Sequence, residues 1–252
     1  MKLFVWGNYT TILTDELKRN GFELIDSPEN ADIILTHGGD GTFFSAEQKW
    51  PQKLKFPMRD DFTAPLCPRH GHASQFNLLK KLALKKTLLP KLCGRANGKE
   101  CFGINDVYLH NGNPTTALRY SVSIDGIIYA REVVGDAVGC STVHGSTAYY
   151  RSITHSTFRT GIGLAFSNST ELVDHIVLNE RSIVKIEIMR GNASLVADNS
   201  PNIISVSPGE TAEIFLSDLL TPVLGLDVFM CSECRRLRHT LRDSSRFLGG
   251  NS

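Results

Sequence analysis

One five-residue run constrains this chain more than any other: Gly38-Gly39-Asp40-Gly41-Thr42 follows the apolar stretch Ile33-Ile34-Leu35 and precedes Phe43-Phe44. Adjacent glycines let the backbone turn sharply and approach a ligand without Cβ hindrance. Their amides, with the start of a following helix, form an anion site. A carboxylate in the middle of such a loop would repel a phosphate. Asp40 therefore makes chemical sense as a group that acts on the reacting partner, accepting a hydroxyl proton or fixing a metal ion. The other reading of the same residues is a plain turn with Thr42 as a helix N-cap.

The surroundings of the loop read as α/β. Lys2–Trp6 is patterned as a buried strand, about Thr10 to Arg19 as a helix closed by Asn20-Gly21, and Phe22–Ile25 and Asp32–Thr36 as strands. A helix is predicted from near Thr42, and another from about Ser74 to Lys86 beyond the Pro-rich region Trp50–Pro68. Strands alternating with helices favour a doubly wound, mainly parallel sheet. From about Cys101 the period changes to two, as in Tyr120–Ile124 and Val184–Ile188, with Asp125-Gly126 as a hairpin turn signal. Ile176–Leu178, Ile203–Val206 and Ala212–Leu216 continue the strand-like pattern. The fold class expected is an α/β N-terminal domain followed by an all-β, sandwich-like domain. The expected division is 1–95, 96–217 and a tail, 218–252, packing back on the first domain.

Composition narrows the class without naming a function. The chain has 252 residues, 41% of them hydrophobic and 21% charged, with 27 Lys+Arg against 26 Asp+Glu for a net charge of +1. Those values fit an ordinary globular protein and give no global attraction to nucleic acid or to an acidic membrane. No stretch approaches the ~20 apolar residues of a spanning helix, and the start does not read as a signal peptide. A cytoplasmic protein without nucleic-acid or membrane partners is the expectation.

Two further segments carry candidate chemistry. Asp136–Tyr149, reading Asp136-Ala137-Val138-Gly139-Cys140-Ser141-Thr142-Val143-His144-Gly145-Ser146-Thr147-Ala148-Tyr149, is dense in small and hydroxylated residues. It can offer amides and hydroxyls to a ribose or phosphate, with Tyr149 to stack or hydrogen-bond; a polar turn with a helix cap is the plainer reading. Asn105-Asp106, at the start of a strand, can bind an adenine edge and a ribose, or simply turn the chain.

In this order and at these separations, Gly38–Thr42, Asn105-Asp106 and Asp136–Tyr149 resemble the ATP-dependent NAD kinases, from about Met1 to Leu216. The first motif is shared with lipid and other kinases of the wider superfamily; Gly145-Ser146-Thr147-Ala148-Tyr149 is more specific. The resemblance implies that Asp40 activates the 2′-hydroxyl of the adenosine ribose of NAD. It also implies that Gly38, Gly39, Gly41 and Thr42 cradle the triphosphate of ATP. Asn105, Asp106, Asp136, Thr147, Ala148, Tyr149 and Ser152 match NAD-contacting positions, and Asp198 falls where the family has a late acidic residue. ATP with Mg²⁺, NAD⁺ or NADH as substrate and a homo-oligomer are implied as well, with no protein side chain assigned as a metal ligand. A lipid or polyol kinase and a non-catalytic nucleotide sensor are the alternatives; Gly145–Tyr149 argues against the first and Asp40 against the second.

The chain departs from the family pattern at Ala137, Val143, His144 and 153–161, where the pocket wall is expected. Cys231 and Cys234 have zinc-like spacing, with Cys93 and Cys101 as distant partners, but reduced thiols are the expectation. His70 and His72 are expected as surface-loop histidines. Five arginines against Asp243 make 235–246 a basic tail, read as solvated or docked near the triphosphate site.

Overall fold

Lys2–Gly7 forms strand β1, Thr10–Arg19 helix α1, Glu23–Leu24 the short β2, Ile33–His37 β3 and Asp40–Lys49 helix α2. Lys55–Met58 forms β4 and His72–Lys80 helix α3. These elements come from a computed structural model, which describes residues 1–7, 10–60 and 68–231. They belong to the first of two compact units, made of Met1–Leu88 together with the chain from Thr221 on. Its strands run parallel in the order β2-β1-β3-β4, and β4 is joined by the last strand at Val223–Lys55, also in parallel. Every residue of β3 is buried, as expected of a parallel strand covered on both faces. Leu3, Leu13, Leu17, Ile33, Leu35, Phe56, Phe76 and Leu79 form the core.

Helix ends in this unit follow local chemistry. Helix α1 closes in a Schellman motif, with the Gly21 amide donating to Lys18 O and the Phe22 amide to Leu17 O. Helix α3 closes the same way, six residues earlier than the Lys86 end read from the sequence. The Leu82 amide donates to Leu79 O and the Ala83 amide to Leu78 O, while Leu82 itself adopts φ +52°. Lys85 and Lys86 therefore do not share a helix face with Lys80 and Lys81. Strand β4 was hidden by Lys55 and Pro57, residues that ordinarily argue against a central strand. Lys55 is fully buried, and its ammonium reaches Glu47 and the Trp50 carbonyl.

The second unit, Leu89–Leu220, is built on β-sheet. Lys86–Ala96 (β5) and Lys99–Gly103 (β6) form a hairpin, and Asp106–Asn111 (β7), Leu118–Ile124 (β8), Ile127–Gly135 (β9) and Ala137–Ser141 (β10) follow. After helix α4 (Tyr149–Thr154) come β11 (Ile162–Ser167), β12 (Ile176–Leu178), β13 (Val184–Arg190), β14 (Ala193–Ala197), β15 (Ile204–Val206) and β16 (Thr211–Leu224). The chain passes between the two units within β5 and within β16. One layer pairs β16-β13-β8-β9 and the other β12-β11-β10-β7-β14-β15, with antiparallel neighbours throughout both. Their inward residues, among them Leu109, Tyr120, Val138, Leu164, Ile186, Leu195 and Ile214, make one shared core, which is the sandwich arrangement. Asp125 and Gly126 take φ +51° and +82° between paired Ile124 and Ile127, as a type I′ turn requires. Asn97-Gly98 does the same between Ala96 and Lys99, at φ +52° and +70°.

After β16 a short helix, α5 (Leu226–Phe229), returns the chain to the first unit. Residues 65–67, Cys234 and the basic segment 235–246 lie outside the described residues. Cys93, Cys101 and Cys140 are buried free thiols, and Cys231 is buried as well. His70 is buried, contrary to its expected surface position, and His72 opens α3 with its Nδ1 2.6 Å from Glu16 Oε2. No described helix is long and apolar enough to cross a membrane.

Candidate functional site

In the first unit the Gly38–Thr42 loop lies at the C-terminal ends of parallel β3 and β4, the edge where open α/β sheets bind ligands. The Gly38 amide donates to the Met58 carbonyl of β4 at 2.9 Å. At φ +150° a side chain on Gly38 would be strained, and its Cβ would lie 2.4 Å from Thr42 Oγ1. Helix α2 starts two residues earlier than expected. Gly39, in extended conformation, is the N-cap, and Thr42 sits inside the first turn with its amide donating to Gly39 O. The glycines thus bring Asp40 into that first turn, where a carboxylate complements the helix dipole.

The Asp40 side chain is 46% exposed, whereas its partner Arg59, just past β4, is 4% exposed. Arg59 Nη2 donates to Asp40 Oδ1 at 3.1 Å. The guanidinium stacks 3.7 Å from the centre of the Phe229 ring, and its Nε donates to the Phe229 carbonyl at 3.3 Å. A half-exposed carboxylate held by a buried cation at a sheet edge can take a proton from a hydroxyl placed beside it.

A separate cluster forms in the second unit. Asp198, at φ +49° just after β14, turns its carboxylate onto the chain entering β7. It accepts the amides of Ile104 at 2.7 Å, Asn105 at 2.8 Å and Asp106 at 3.2 Å. From the other side the Thr142 amide donates to Asn105 O at 2.8 Å, and its hydroxyl to Ile104 O at 2.6 Å. Gly145 donates to Thr142 Oγ1 at 3.1 Å, and its backbone lies so near Asn105 that a Cβ there would fall 2.0 Å from Asn105 O. Thr147 ends a short 3₁₀ turn, Ala148 links it to α4, and the Ser152 hydroxyl donates to Tyr149 O at 2.7 Å. The Tyr149 ring stands edge-on to Tyr108 at 4.8 Å and tilted against His110 at 5.6 Å.

Burial sets the protonation chemistry of this cluster. It pushes the Asp106 carboxyl up to about 7, with the Asp198 charge adding to the effect. Burial also pushes Asp198 up to about 6, against the pull of its three amide bonds and of Lys91. The Tyr108 hydroxyl is raised, and His110 lowered, by the same desolvation. A carboxyl that titrates near neutrality can accept or donate a hydrogen bond to a ligand hydroxyl.

The structure thus brings together Gly38, Gly39, Asp40, Gly41 and Thr42 in one unit. In the other it brings together Asn105, Asp106, Thr147, Ala148, Tyr149, Ser152 and Asp198. Asp136 stands apart from the latter group: Ser141 pairs with Asp106 whereas Ala137 pairs with His110, which places Asp136 at the far end of β10. At ~3.3 Å per residue that is more than 13 Å of strand. There it accepts the Asn168 amide at 2.9 Å. Arg59 and His110 were not singled out in the sequence, since Arg59 falls in the Pro-rich stretch and His110 in a strand of mixed character. Among the described residues no three His, Cys, Asp or Glu side chains converge as a metal site.

No protein-family model matches the chain. An NAD kinase of Clostridium tetani is 28% identical over 183 residues, 68% of this chain and 66% of that protein. An NAD kinase of Methanospirillum hungatei is 25% identical over 151 residues, 58% of this chain and 55% of its own length. The matched part thus spans less than two thirds of either relative. Among solved structures, an NAD kinase from Archaeoglobus fulgidus in complex with ATP superposes with a TM-score of 0.73 at 19% identity, over 96% of this chain and 99% of that one. Yeast NADH kinase complexed with NADH gives 0.72 at 16% identity, over 89% and 83%. The chain is thus similar in sequence to NAD kinases over part of its length, and it shares its fold with these NAD kinase and NADH kinase structures.

Proposed function

We propose that this protein is an NAD kinase, transferring the terminal phosphoryl group of ATP to the 2′-hydroxyl of the adenosine ribose of NAD⁺ or NADH. The observation that carries the reading is Asp40: a half-exposed carboxylate in the first turn of α2, at the C-terminal edge of the parallel sheet and fixed by Arg59. A ribose hydroxyl is a poor nucleophile at neutral pH, and a positioned carboxylate takes its proton as attack on phosphorus develops. Gly38, Gly39, Gly41 and Thr42 would hold the triphosphate through backbone amides and the positive end of α2. The remainder of phosphoryl-transfer catalysis is alignment and neutralisation of charge on the transferred group. Mg²⁺ would arrive with the triphosphate, since this ion is commonly held by phosphates and water with few protein ligands.

In the second unit Asn105, Asp106, Thr147, Ala148, Tyr149, Ser152 and Asp198 would bind the dinucleotide. The Asp106 carboxyl suits a ribose hydroxyl, and the Tyr149 ring suits a base or its amide. Asp136, at the far end of β10 and bonded to Asn168, is not included in that proposed cluster.

The test is purified protein with ATP, Mg²⁺ and either NAD⁺ or NADH, scored for NADP⁺ or NADPH. Formation of either product is expected. Tight NAD binding with no product would replace the kinase by a sensor, and phosphorylation of a lipid or polyol alone would replace the substrate.

A further inference from the structure

We propose that Arg59 is a positioning residue, holding the Asp40 carboxylate in one orientation for proton abstraction, and that Phe229 holds Arg59. The proposal rests on the reading of Asp40 as the proton acceptor and extends it to two residues outside the glycine loop. An aspartate side chain with 46% of its surface in solvent has rotamers to choose from, and nothing in the loop sequence selects one. The Nη2–Oδ1 bond of 3.1 Å makes that choice. It occupies Oδ1, and among the described residues no hydrogen-bond donor reaches Oδ2, which is left to face an incoming hydroxyl.

The clamp works only if Arg59 is itself fixed, and contacts with Phe229 and Met230 hold it. Its Nε donates to the Phe229 carbonyl at 3.3 Å, its Cζ lies over the Phe229 ring 3.7 Å from the centre, and Nη2 lies 3.8 Å from Met230 Sδ. Phe229 is 2% exposed and packs against Phe43 of α2, with ring centres 6.3 Å apart. The same helix that carries Asp40 thus supports the far side of the clamp. Arg suits this place where Lys would not: its plane stacks on a ring while its edge donates in fixed directions.

Preorganisation of this kind shows in turnover more than in substrate binding, because misorientation of a reacting group by about 1 Å costs roughly 100-fold in rate. Arg59→Met, which preserves length and apolar stem, is expected to lower kcat by about 10- to 100-fold, with KM for ATP and NAD⁺ changed by less than about 3-fold. In the Asp40→Asn background the same substitution is expected to change the residual kcat by less than about 2-fold, because the two residues act as one unit. Arg59→Lys should recover part of the loss, and Phe229→Leu should show a smaller loss that also vanishes in the Asp40→Asn background. If Arg59→Met does not fold, the latter two variants carry the same cycle. Equal losses in both backgrounds, an unchanged kcat, or an effect confined to KM for ATP would overturn the role of Arg59 while leaving the kinase reading intact. A wild-type protein that forms no NADP⁺ or NADPH would overturn both.

Discussion

Asp106 and Asp198 are tied reciprocally: the Asp106 amide donates to Asp198 Oδ1 at 3.2 Å, and the Asp198 amide returns a bond to the Asp106 carbonyl at 3.0 Å. These bonds tie the start of β7 to the residue after β14, next to Asn105 and the Thr142–Gly145 turn. The backbone bonds fix the geometry, and burial with mutual repulsion raises the cost of charging both groups.

That cost gives a pH signature. Both carboxyls lie above their ordinary value of 3.8 in the folded protein, at about 7 for Asp106 and about 6 for Asp198. Between pH 4 and 7 the native state therefore holds more protons than the unfolded chain, so stability contributed here falls as pH rises through that window. Asp106→Asn should flatten the decline in unfolding temperature between pH 5 and pH 8 by a few degrees. A variant with the wild-type slope would place the titration elsewhere.

Asp40→Asn removes the proposed proton acceptor but preserves shape and an oxygen to accept the hydrogen bond from Arg59 Nη2. We expect turnover to drop by about 100-fold or more, with the unfolding temperature within about 2 °C of wild type. Near-normal turnover would show that another group takes the proton.

Gly145→Ala tests the junction of Thr142 and Asn105. Its Cβ would meet backbone, 2.0 Å from Asn105 O, so relief requires moving the entry to β7 away from the 3₁₀ turn. NAD⁺ affinity, measured by titration calorimetry, should weaken by about 10-fold or more, since strain of this kind costs roughly 1–3 kcal/mol. Gly209→Ala, where nothing lies within 4 Å of a new Cβ, should leave affinity unchanged.

The buried Lys55–Glu47 pair is a stability determinant of the first unit, with side-chain exposures of 0% and 5%. Lys55→Met alone removes the counter-charge of the buried Glu47 carboxylate and should cost about 3–5 kcal/mol by denaturant unfolding. Replacing both, with Glu47→Leu added, should recover much of that loss, because the second change removes the buried uncompensated charge.

Leu82→Gly should be stabilising. Leu82 holds φ +52° to close α3 and is 81% exposed, so the residue carries left-handed strain without compensating burial. Relief of about 1 kcal/mol corresponds to a rise of roughly 2–4 °C in unfolding temperature.

Legibility in the sequence followed the range of the interaction involved. Helix α1 was read with the bounds Thr10 and Arg19 because its periodicity and its Asn20-Gly21 stop are both local. The Asp125-Gly126 turn was legible because a type I′ turn is written in two residues. Strand β4 was not legible, since Lys55 and Pro57 violate strand preference and are accommodated by Glu47, Trp50 and the neighbouring strands. The early end of α3 escaped as well: Lys81-Leu82 carries no stop residue, and the Schellman bonds impose left-handed geometry on a leucine.

The sequence by itself determined the change from α/β to β-sandwich, the strand–glycine loop–helix unit at Asp40, and the proximity of residues within each motif. These depend on periodicity, turn chemistry and backbone freedom, which act over a few residues. Only the tertiary structure decided that Arg59 and Phe229 brace Asp40, that Asp198 pins Asn105 and Asp106 from more than 90 positions away, and that Asp136 stands at the other end of its strand. Strand order, register and long-range burial set those relationships, and a motif read along the chain carries none of the three.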